Sequence, residues 1–397
     1  MPRPAPAREL TLRLDAMTYG GAALGRVEGK AIFVTGGLAG EVVRVIVEED
    51  RARSTRAHYA RARLLEVIEP SPDRITPLCP HFGFDATSCG GCHWQHIAYA
   101  AQLRFKTAIV REQLQRIGRI PDPPVRDIIP SPAIWQYRNH AQFHVTPDGH
   151  LGFQAARSHR VVPIDQCLII EPSLQAWLQA QHTVDHAGQQ RLSVRLSTRS
   201  VQPARVSALC GAGRLAPISN FQFHVSPDSF FQVNTDLIET LVDQVLAQLE
   251  LSKADTVLDA YCGVGLFSRF IAPQVTRVIG IESSISAQAD FAINLAGYSN
   301  VEFHLGRVEQ VLPTVTAHVD AALLDPPRAG CGPEVIDAVV AQQIDRLVLV
   351  ACDAATLARD VRLLLDRQYT LIEVQPIDLF PHTYHIETIA VLQRVQA

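Results

Sequence analysis

The sequence lacks most of the features that mark a secreted, membrane-bound or disordered protein. Its 397 residues include eight cysteines, which are too few and too scattered for a disulfide framework. The first ten residues contain no apolar segment of the signal-peptide type, and no run of about 18 apolar residues predicts a membrane span. Hydrophobic residues make up 47% and charged residues 19%, which excludes global disorder. We therefore expect a cytoplasmic, monomeric enzyme without a membrane partner, whose cysteines stay reduced and bind metal or react.

Basic charge is also scarce. The 36 Lys and Arg residues are outnumbered by 40 Asp and Glu, and only three of the 36 are lysines. A globally basic nucleic-acid binder would have a pI above about 9, whereas the sequence pI is about 6.4. Residues 1–69 nevertheless hold 11 basic and 9 acidic residues (+2), against −6 for the rest. A group of arginines without an intervening acid indicates either a phosphate-contacting face or a solvated strand pair: Arg51, Arg53, Arg56, Arg61 and Arg63.

Short strands separated by glycine turns predict a small β-barrel in the first domain, which we place at residues 1–70. Leucines alternate over Leu10–Leu14, and apolar stretches follow at Ala31–Val34 and Glu41–Val47. Gly-Gly pairs lie between these stretches. This spacing is typical of an OB-like barrel.

The remaining chain divides into two further parts, residues 71–235 and 236–397. A proline-rich linker over 70–80 precedes a cysteine segment, a predicted helix over 99–117 and a β-rich stretch over 135–233. From Leu237 onward, helices alternate with apolar strands, which is typical of a parallel doubly wound sheet. The predicted fold class is α/β: a Rossmann-like domain preceded by a small barrel and a central β-rich domain.

A glycine loop after the first apolar strand of the third domain predicts a nucleotide-like ligand. The strand and loop span Val257–Gly265, and glycine there allows the backbone to approach a ligand closely. Glu282 ends the next strand, where a carboxylate can bind both ribose hydroxyls. Ser268 replaces the third glycine of a dinucleotide fingerprint, which disfavours nicotinamide cofactors. We therefore expect a different nucleoside-bearing cofactor.

Four further side chains in the same domain lie at or near the ends of predicted strands. Asp325 precedes two prolines, which hold a carboxylate rigidly at the carboxyl edge of the sheet. Arg328 comes next, where amine methyltransferases have an aromatic residue, and this disfavours amine methylation. Cys352 ends a strand before a helix, a place where a thiolate is stabilised, although a buried core cysteine is the alternative. Glu387 is a candidate general base.

A second group of cysteines predicts a metal centre in the central domain. The spacing of a lone cysteine, a Cys-Gly-Gly-Cys pair and a distant fourth thiol suits either tetrahedral zinc or a [4Fe–4S] cluster. Spacing alone does not separate the two. The candidate ligands are Cys79, Cys89, Cys92 and Cys167. The others are interpreted as structural residues: Cys210, Cys262 and Cys331.

Further segments carry a resemblance to a known family. They are Gly40-Glu41 with Ser71–Arg74, Cys79–His96, Phe230–Asn234, Asp325–Arg328 and Phe380–Glu387. Together they resemble the RNA uracil-C5 methyltransferases that carry an N-terminal TRAM domain, in particular those that act on uridine in 23S ribosomal RNA. The likeness extends over almost the whole chain.

The resemblance implies a cofactor, S-adenosyl-L-methionine, and an RNA partner, either rRNA or tRNA. The implied cofactor contacts are Gln232, Tyr261, Glu282 and Asp325. The implied catalytic residues are the nucleophile Cys352 and the base Glu387, with Phe230 near the target base. It also favours [4Fe–4S] over zinc on Cys79, Cys89, Cys92 and Cys167.

The sequence departs from the family pattern at three places. Asp353-Ala354 replaces the usual Asn-Pro after the nucleophile, and an acid beside a thiolate raises its pKa. Gly306-Arg307 replaces the usual polar or acidic residue near the adenine. Cys79 and Cys89 are about four residues further apart than in the family. Two alternatives therefore remain beside the rRNA enzyme: a methyltransferase of the tRNA T-loop, and a non-catalytic RNA-binding protein on the same scaffold.

Overall fold

The computed structural model describes residues 8–48, 59–181, 186, 188–196, 201–205, 213–214 and 221–395. These residues form a closed barrel, a five-stranded sheet, a two-stranded ribbon and a seven-stranded sheet, in chain order. No helix among the described residues is long and apolar enough to cross a bilayer. Cys210 and three of the five clustered arginines, Arg51, Arg53 and Arg56, lie outside the described ranges.

Five strands close the N-terminal barrel in the order β1-β2-β3-β5-β4. Leu12 and Leu14 point inward and are buried, while the residues between and beside them are exposed, which is the alternation the sequence shows. Arg61 and Arg63 lie on the outer face of the fifth strand. The predicted barrel is therefore present. Its strands are β1 (Glu9–Met17), β2 (Ala23–Val27), β3 (Lys30–Thr35), β4 (Val42–Glu48) and β5 (Tyr59–Glu69).

A buried ion pair joins the barrel to the segment that follows it. The Glu41 carboxylate is fully buried and accepts hydrogen bonds from Nε and Nη2 of Arg74, at 2.5 and 2.8 Å. The backbone N–H groups of Leu38 and Ser71 donate to the same carboxylate, and Arg74 also donates to the Gly36 carbonyl. A buried charge is tolerated when it is paired and hydrogen-bonded in this way.

The central part of the chain is a helix, a five-stranded antiparallel sheet and a two-stranded ribbon. The sheet order is β10-β9-β6-β7-β8. The predicted helix over 99–117 is observed as α1 (Tyr99–Arg116). The other elements are β6 (His140–Val145), β7 (Leu151–Gln154), β8 (Val161–Pro163), α2 (Pro172–Ala180), β9 (Arg191–Leu196), β10 (Val201–Arg205), β11 (Gly213–Arg214) and β12 (His224–Val225).

The C-terminal part is a seven-stranded sheet in the order β15-β14-β13-β16-β17-β19-β18. Its strands are β13 (Thr256–Ala260), β14 (Arg277–Glu282), β15 (Val301–Leu305), β16 (Ala321–Leu324), β17 (Arg346–Ala351), β18 (Tyr369–Ile377) and β19 (Glu387–Arg394). Its helices are α3 (Ile238–Leu249), α4 (Leu266–Ile271), α5 (Ile285–Asn294), α6 (Val308–Val311), α7 (Gly332–Ala341) and α8 (Ala354–Leu365). The predicted Rossmann-like architecture is confirmed.

One strand departs from the expected parallel arrangement. The last strand, β19, inserts between β17 and β18 and runs antiparallel to both. The crossover through α8 leaves a gap beside β17, and the chain returns through residues 378–386 to fill it. Periodicity alone does not report strand direction, so this insertion was not foreseen.

A continuous apolar core fixes the barrel, α1 and the large sheet relative to one another. Leu14 of the barrel, Ile109 of α1 and Leu258 of β13 belong to one cluster of buried side chains. Because protein interiors are closely packed, a displacement of one of these three units is transmitted to the other two.

We predict that Arg74→Ala lowers the free energy of unfolding by about 3 kcal/mol, since it leaves the buried Glu41 carboxylate unpaired. Urea denaturation of the full chain measures this. Arg44→Ala is the matched control, because Arg44 and Glu66 are half exposed, and such pairs contribute about 0–1 kcal/mol. Equal losses in the two variants would contradict the assignment.

Candidate active site

The glycine loop after β13 forms the floor of the candidate site. Tyr261, Gly263 and Gly265 all adopt positive φ, at 65°, 52° and 87°. A side chain at Gly265 would collide with Leu295, whereas a Cβ at Gly263 would meet no atom within 4 Å. Gly265 is therefore required for packing, and Gly263 leaves open space beside the loop.

Glu282 closes the second parallel strand and is fixed by backbone donors. Its Oε2 accepts from the Gly263 N–H at 3.2 Å, and its Oε1 accepts from the N–H groups of Ser283 and Ser284 at 2.6 and 2.7 Å. The carboxylate thus links the end of β14 to the glycine loop of β13. This is the position that the sequence predicted for a ribose-binding acid.

Three carboxyl groups meet at the carboxyl edge of the sheet: Asp259, Glu282 and Asp325. Burial, followed by the charges of Asp259 and Glu282, raises the pKa of Asp325 to about 7. Burial likewise raises the pKa of Asp259 to about 7, although a hydrogen bond from the Ser268 hydroxyl opposes this shift. Oδ1 of Asp259 has no hydrogen-bond partner among the described residues. A site with this much uncompensated negative potential favours a cationic ligand.

Cys352 and Glu387 come together through strand register. β17 and β19 pair antiparallel from Arg346 with Gln393 to Ala351 with Thr388. The next pair along this register is Cys352 and Glu387, and directly opposed residues have Cβ atoms about 5 Å apart. Residues 35 positions apart in the sequence therefore become cross-strand neighbours.

The surroundings of the free site disfavour the ionised form of both groups. Burial, followed by the charge of Glu387, raises the pKa of Cys352 to about 12. Arg328 is the one positive group that opposes these effects on Cys352 among the described residues. Burial, followed by Asp325, raises the pKa of Glu387 well above its usual value. The sequence predicted a stabilised thiolate, and the structure instead shows a thiol whose ionisation requires added positive charge.

Asp353 caps the helix after the thiol and contacts the barrel. Its Oδ1 accepts from the N–H groups of Ala355 and Thr356, at 3.0 Å each, so α8 begins at residue 354. Its Oδ2 accepts a hydrogen bond from the Tyr19 hydroxyl, in the β1–β2 turn. The acid beside the thiol raises the Cys352 pKa, as the sequence indicated, but it is the smallest of the contributions.

A buried ion pair holds the loop that carries Glu387. Lys106 of α1 and Asp378 are both fully buried, with Nζ and Oδ1 2.6 Å apart. Lys106 also donates to the Phe380 carbonyl at 3.0 Å. Burial lowers the pKa of Lys106, and Asp378 opposes that shift. The central helix thereby fixes the start of residues 378–386 and, through them, the position of Glu387.

The segment containing Gln232 connects the central sheet to the site. Asn139 donates to the Gln232 carbonyl at 3.1 Å, and Asn234 donates to the Leu379 carbonyl at 3.1 Å. Gln232 is buried, whereas Phe230, two residues earlier, is 71% exposed. An exposed phenyl ring next to a buried polar segment suits contact with a partner molecule.

The four predicted cluster cysteines line one cavity of about 170 Å³: Cys79, Cys89, Cys92 and Cys167. Gly90 lies against the backbone of Gln154 and Ala156, where any Cβ would come within 2.7 Å, so the Cys-Gly-Gly-Cys turn needs glycine there. Burial raises the pKa of the Cys89 thiol to about 11, and Cys167 adds to the shift.

No group of three or more His, Cys, Asp or Glu side chains within the described ranges is arranged to hold a metal ion. The four cysteines share a cavity, but the described residues hold no preformed ion site, so the predicted metal centre stays a prediction. Cys262 packs in an apolar cluster with Phe291 and Leu295, which agrees with a structural role.

Comparison with known proteins identifies the family. The profile of tRNA (uracil-5-)-methyltransferases matches residues 175–311 and 305–395, and the TRAM domain profile matches residues 8–65. The chain belongs to the tRNA (uracil-5-)-methyltransferase family. An uncharacterised RNA methyltransferase of Halalkalibacterium halodurans is 34% identical, over 96% of each chain. One from Caldanaerobacter subterraneus subsp. tengcongensis is 32% identical, over 96% of this chain and 97% of its own.

The fold of this RNA methyltransferase has a full-length counterpart among solved structures. The Pyrococcus abyssi tRNA (uracil-54, C5)-methyltransferase, solved in complex with S-adenosyl-L-homocysteine, superimposes with a TM-score of 0.71 at 23% identity. The match covers 96% of this chain and 99% of that one. The order of barrel, central sheet and Rossmann-like sheet is thus shared over the whole length.

The structure also adds residues to the site of this methyltransferase that the sequence did not single out. In the sequence, Arg328 indicated only that no aromatic residue follows the two prolines. Tyr19 was assigned to a turn, and no sequence signal connects it to Asp353. Lys106 and Asp378 are 272 positions apart, and only the rarity of lysine in this chain distinguished the former.

We predict that Arg328→Ala raises the pKa of Cys352 further, since it removes the positive group that opposes the shift. One pKa unit slows thiol alkylation about tenfold at fixed pH. Iodoacetamide labelling followed by peptide mass mapping reports Cys352 alone. Arg328→Lys, which keeps the charge, should react at close to the original rate, and an unchanged rate in Arg328→Ala would refute the assignment.

Proposed function

We propose that this enzyme methylates C5 of a uridine in RNA, with S-adenosyl-L-methionine as methyl donor and a covalent Cys352 adduct at C6. The observation that carries the proposal is the register that sets Cys352 against Glu387, next to Asp325 at the same sheet edge. Uracil C5 is a poor nucleophile, so methylation there needs a nucleophile at C6 and a base for the C5 proton. A thiol and a carboxyl group placed opposite each other by this register could supply both.

The proposed reaction keeps its atoms and charges balanced. The Cys352 thiol would first lose its proton to solvent, and its sulfur would then bond to C6 and place the electron pair at C5. C5 would take the methyl group from the bound donor, which would leave as S-adenosyl-L-homocysteine. Glu387 then accepts the C5 proton, the C5–C6 double bond re-forms and the C6–S bond breaks. The uridine must leave its stack to reach the site, and Phe230 is the exposed ring we assign to meet it.

S-adenosyl-L-methionine fits the acid-rich edge of the sheet. Its sulfonium is a permanent cation, and Asp259, Glu282 and Asp325 present uncompensated negative potential there. We assign cofactor contacts to Gln232, Tyr261, Glu282 and Asp325, with the open space at Gly263 beside them. A bound cation also lowers the pKa values of nearby acids and thiols. Cofactor binding would thus help to ionise Cys352 and Glu387.

The choice of RNA rests on the resemblance to 23S rRNA methyltransferases. The Pyrococcus abyssi enzyme, which is named for tRNA, is matched along its whole length, barrel region included. The barrel therefore does not separate the two substrates. We keep 23S rRNA as the proposed substrate and tRNA as the second candidate to be tested beside it.

A [4Fe–4S] cluster on Cys79, Cys89, Cys92 and Cys167 is proposed for the cysteine cavity. Zinc needs four ligand atoms about 2.3 Å from one point, which the described side chains do not offer. A cluster is larger and is bound by one thiolate at each iron, which suits thiols spread around a cavity. We assign residues 1–70 to RNA binding, 71–235 to the cluster domain and 236–397 to methyl transfer.

We predict that Cys352→Ala lowers methyl transfer to RNA by at least about a thousandfold, since it removes the proposed nucleophile. Transfer of radiolabelled methyl groups to 23S rRNA and to tRNA, each lacking the modification, measures activity and identifies the substrate. The variant should still bind cofactor and RNA. Unchanged transfer would exclude Cys352, and no transfer by the unaltered protein would favour the RNA-binding alternative.

Glu387→Gln should accumulate a protein–RNA adduct, because glutamine cannot accept the C5 proton and elimination stops. A denaturing gel with labelled RNA and S-adenosyl-L-methionine detects the adduct as a band of reduced mobility. The double variant Cys352→Ala/Glu387→Gln should give no such band. A band that persists in the double variant would contradict the assigned linkage.

The preference for S-adenosyl-L-methionine over S-adenosyl-L-homocysteine should increase with pH. The raised Asp325 pKa, about 7, means that the group is neutral below this value and anionic above it. The two ligands differ in charge only at the sulfonium of the methyl donor. The Kd of S-adenosyl-L-homocysteine divided by that of S-adenosyl-L-methionine should therefore rise by up to about tenfold per pH unit through this range. Calorimetry between about pH 6 and pH 8 measures it. Asp325→Asn should flatten the trend, and a constant ratio in the unaltered protein would contradict it.

Anaerobically purified protein should contain about four irons and four sulfides per chain. Cys89→Ser should lose most of both, whereas Cys331→Ser, which alters a cysteine outside the cavity, should retain them. Metal and acid-labile sulfide analysis with the visible absorption spectrum decides this. Zinc without sulfide would overturn the cluster assignment.

A further inference from the structure

A second cavity, of about 480 Å³, lies between the central sheet and the segment that precedes Gln232. Strands β6 and β9 form one wall, and residues 227–231 form the other. Two guanidinium groups, those of Arg138 and Arg195, line it. The reaction proposed above uses one residue of this lining, Phe230, and assigns no role to the two guanidinium groups.

Arg195 is the unusual member of the lining. Its Nη2 donates to the Ser229 carbonyl at 3.2 Å. Its Nε and Nη1 atoms are buried and have no hydrogen-bond partner among the described residues. Unpaired buried donors on a charged group are costly, so an arginine in this state indicates a missing acceptor.

Among the described residues, few groups could serve as that acceptor. Asp290 is the nearby acid that acts on Arg195 electrostatically, but its oxygens accept from His224 and Ser226. Asp228, an exposed residue, is the single carboxylate in the cavity lining.

The charge of Arg195 is retained in this setting. Burial lowers the pKa of its guanidinium to about 10, and Asp290 opposes the shift. The neighbouring His140 is neutral near pH 7, because burial lowers its pKa to about 3, and it contacts the Ser193 hydroxyl. The cavity therefore holds two cations, Arg138 and Arg195, against one exposed acid.

The other lining residues suit a nucleotide rather than a free small anion. Nε of Arg138 donates a hydrogen bond to the His140 carbonyl at 2.8 Å, and the side chain lines the cavity beside Arg195. Phe230, 71% exposed, belongs to the same lining. Guanidinium forks match phosphate oxygens, and exposed aromatic rings stack on bases.

We propose that this cavity binds a backbone phosphate of the RNA next to the methylated uridine, with Arg195 as the principal phosphate ligand. The proposal rests on the proposed function for its substrate, and it adds a subsite to it. Phe230 lies two residues from Gln232. An RNA strand with one phosphate in the cavity would therefore have the adjoining base directed along residues 230–232 toward the methyl-transfer site. The cavity would hold the flipped nucleotide by its backbone and would carry no sequence information itself.

The salt dependence of RNA binding tests this without any methyl transfer. The probe is a fluorescein-labelled single-stranded RNA oligonucleotide containing uridine, and its anisotropy is followed with the full chain and no cofactor. The logarithm of the binding constant falls with the logarithm of salt concentration by about 0.7 for each phosphate contacted. Arg195→Gln should weaken binding several-fold at low salt and lower that slope by about 0.7.

The controls separate a phosphate contact from general charge loss. Arg116→Gln removes an exposed arginine of α1 that pairs with Glu112, and it should leave the slope unchanged. Arg195→Lys should keep most of the slope. Asp228→Asn changes an exposed residue and should not affect folding, and it should tighten RNA binding about two- to threefold. If Arg195→Gln loses its cooperative melting transition, the Asp228→Asn variant replaces it as the test.

The outcomes distinguish this proposal from the proposed function. A slope and affinity in Arg195→Gln equal to those of the unaltered protein would overturn the subsite, even if uridine methylation is confirmed. In the event of failed folding, unchanged affinity in Asp228→Asn would overturn it. A lowered slope with no methyl transfer by the unaltered protein would support the subsite and refute the enzyme function.

Discussion

The antiparallel pairing of the last strand with β17 is the constraint on which the site depends. This register sets Cys352 beside Glu387, and it joins two strands that are buried along most of their length. The Lys106–Asp378 ion pair fixes the loop that leads into the strand. The geometry of the two groups is therefore set by strand pairing and by a buried ion pair.

The same placement creates an electrostatic problem that the fold leaves unsolved. Asp259, Asp325 and Glu387 are buried together, and their pKa values are raised as a result. Arg328 provides one compensating charge near Cys352. A sulfonium ligand would provide another. Coupling the ionisation of the nucleophile to ligand binding would keep an exposed, reactive thiolate from forming in the empty site, where it would be open to oxidation.

Contacts between the three sheets explain why the chain is organised as one unit. Tyr19 of the barrel reaches Asp353 beside the thiol, and Glu41 pairs with Arg74 after the barrel. The sequence segments Gly40-Glu41 and Ser71–Arg74 thus each supply one partner of the buried ion pair. The barrel and the catalytic edge share a contact, so RNA held by one would lie close to the other.

The sequence by itself determined the element order, the three-part architecture and the residues at strand ends, because hydrophobic periodicity and glycine spacing are local properties. It also separated four cysteines that share one cavity from Cys262, which packs as an apolar residue. Only the tertiary structure decided what depends on distant contacts: the direction of β19, the raised pKa of Cys352, the Tyr19–Asp353 contact, and the two Arg195 nitrogens that have no partner among the described residues. Burial and strand register arise between residues far apart in the chain, and local patterns carry no record of them.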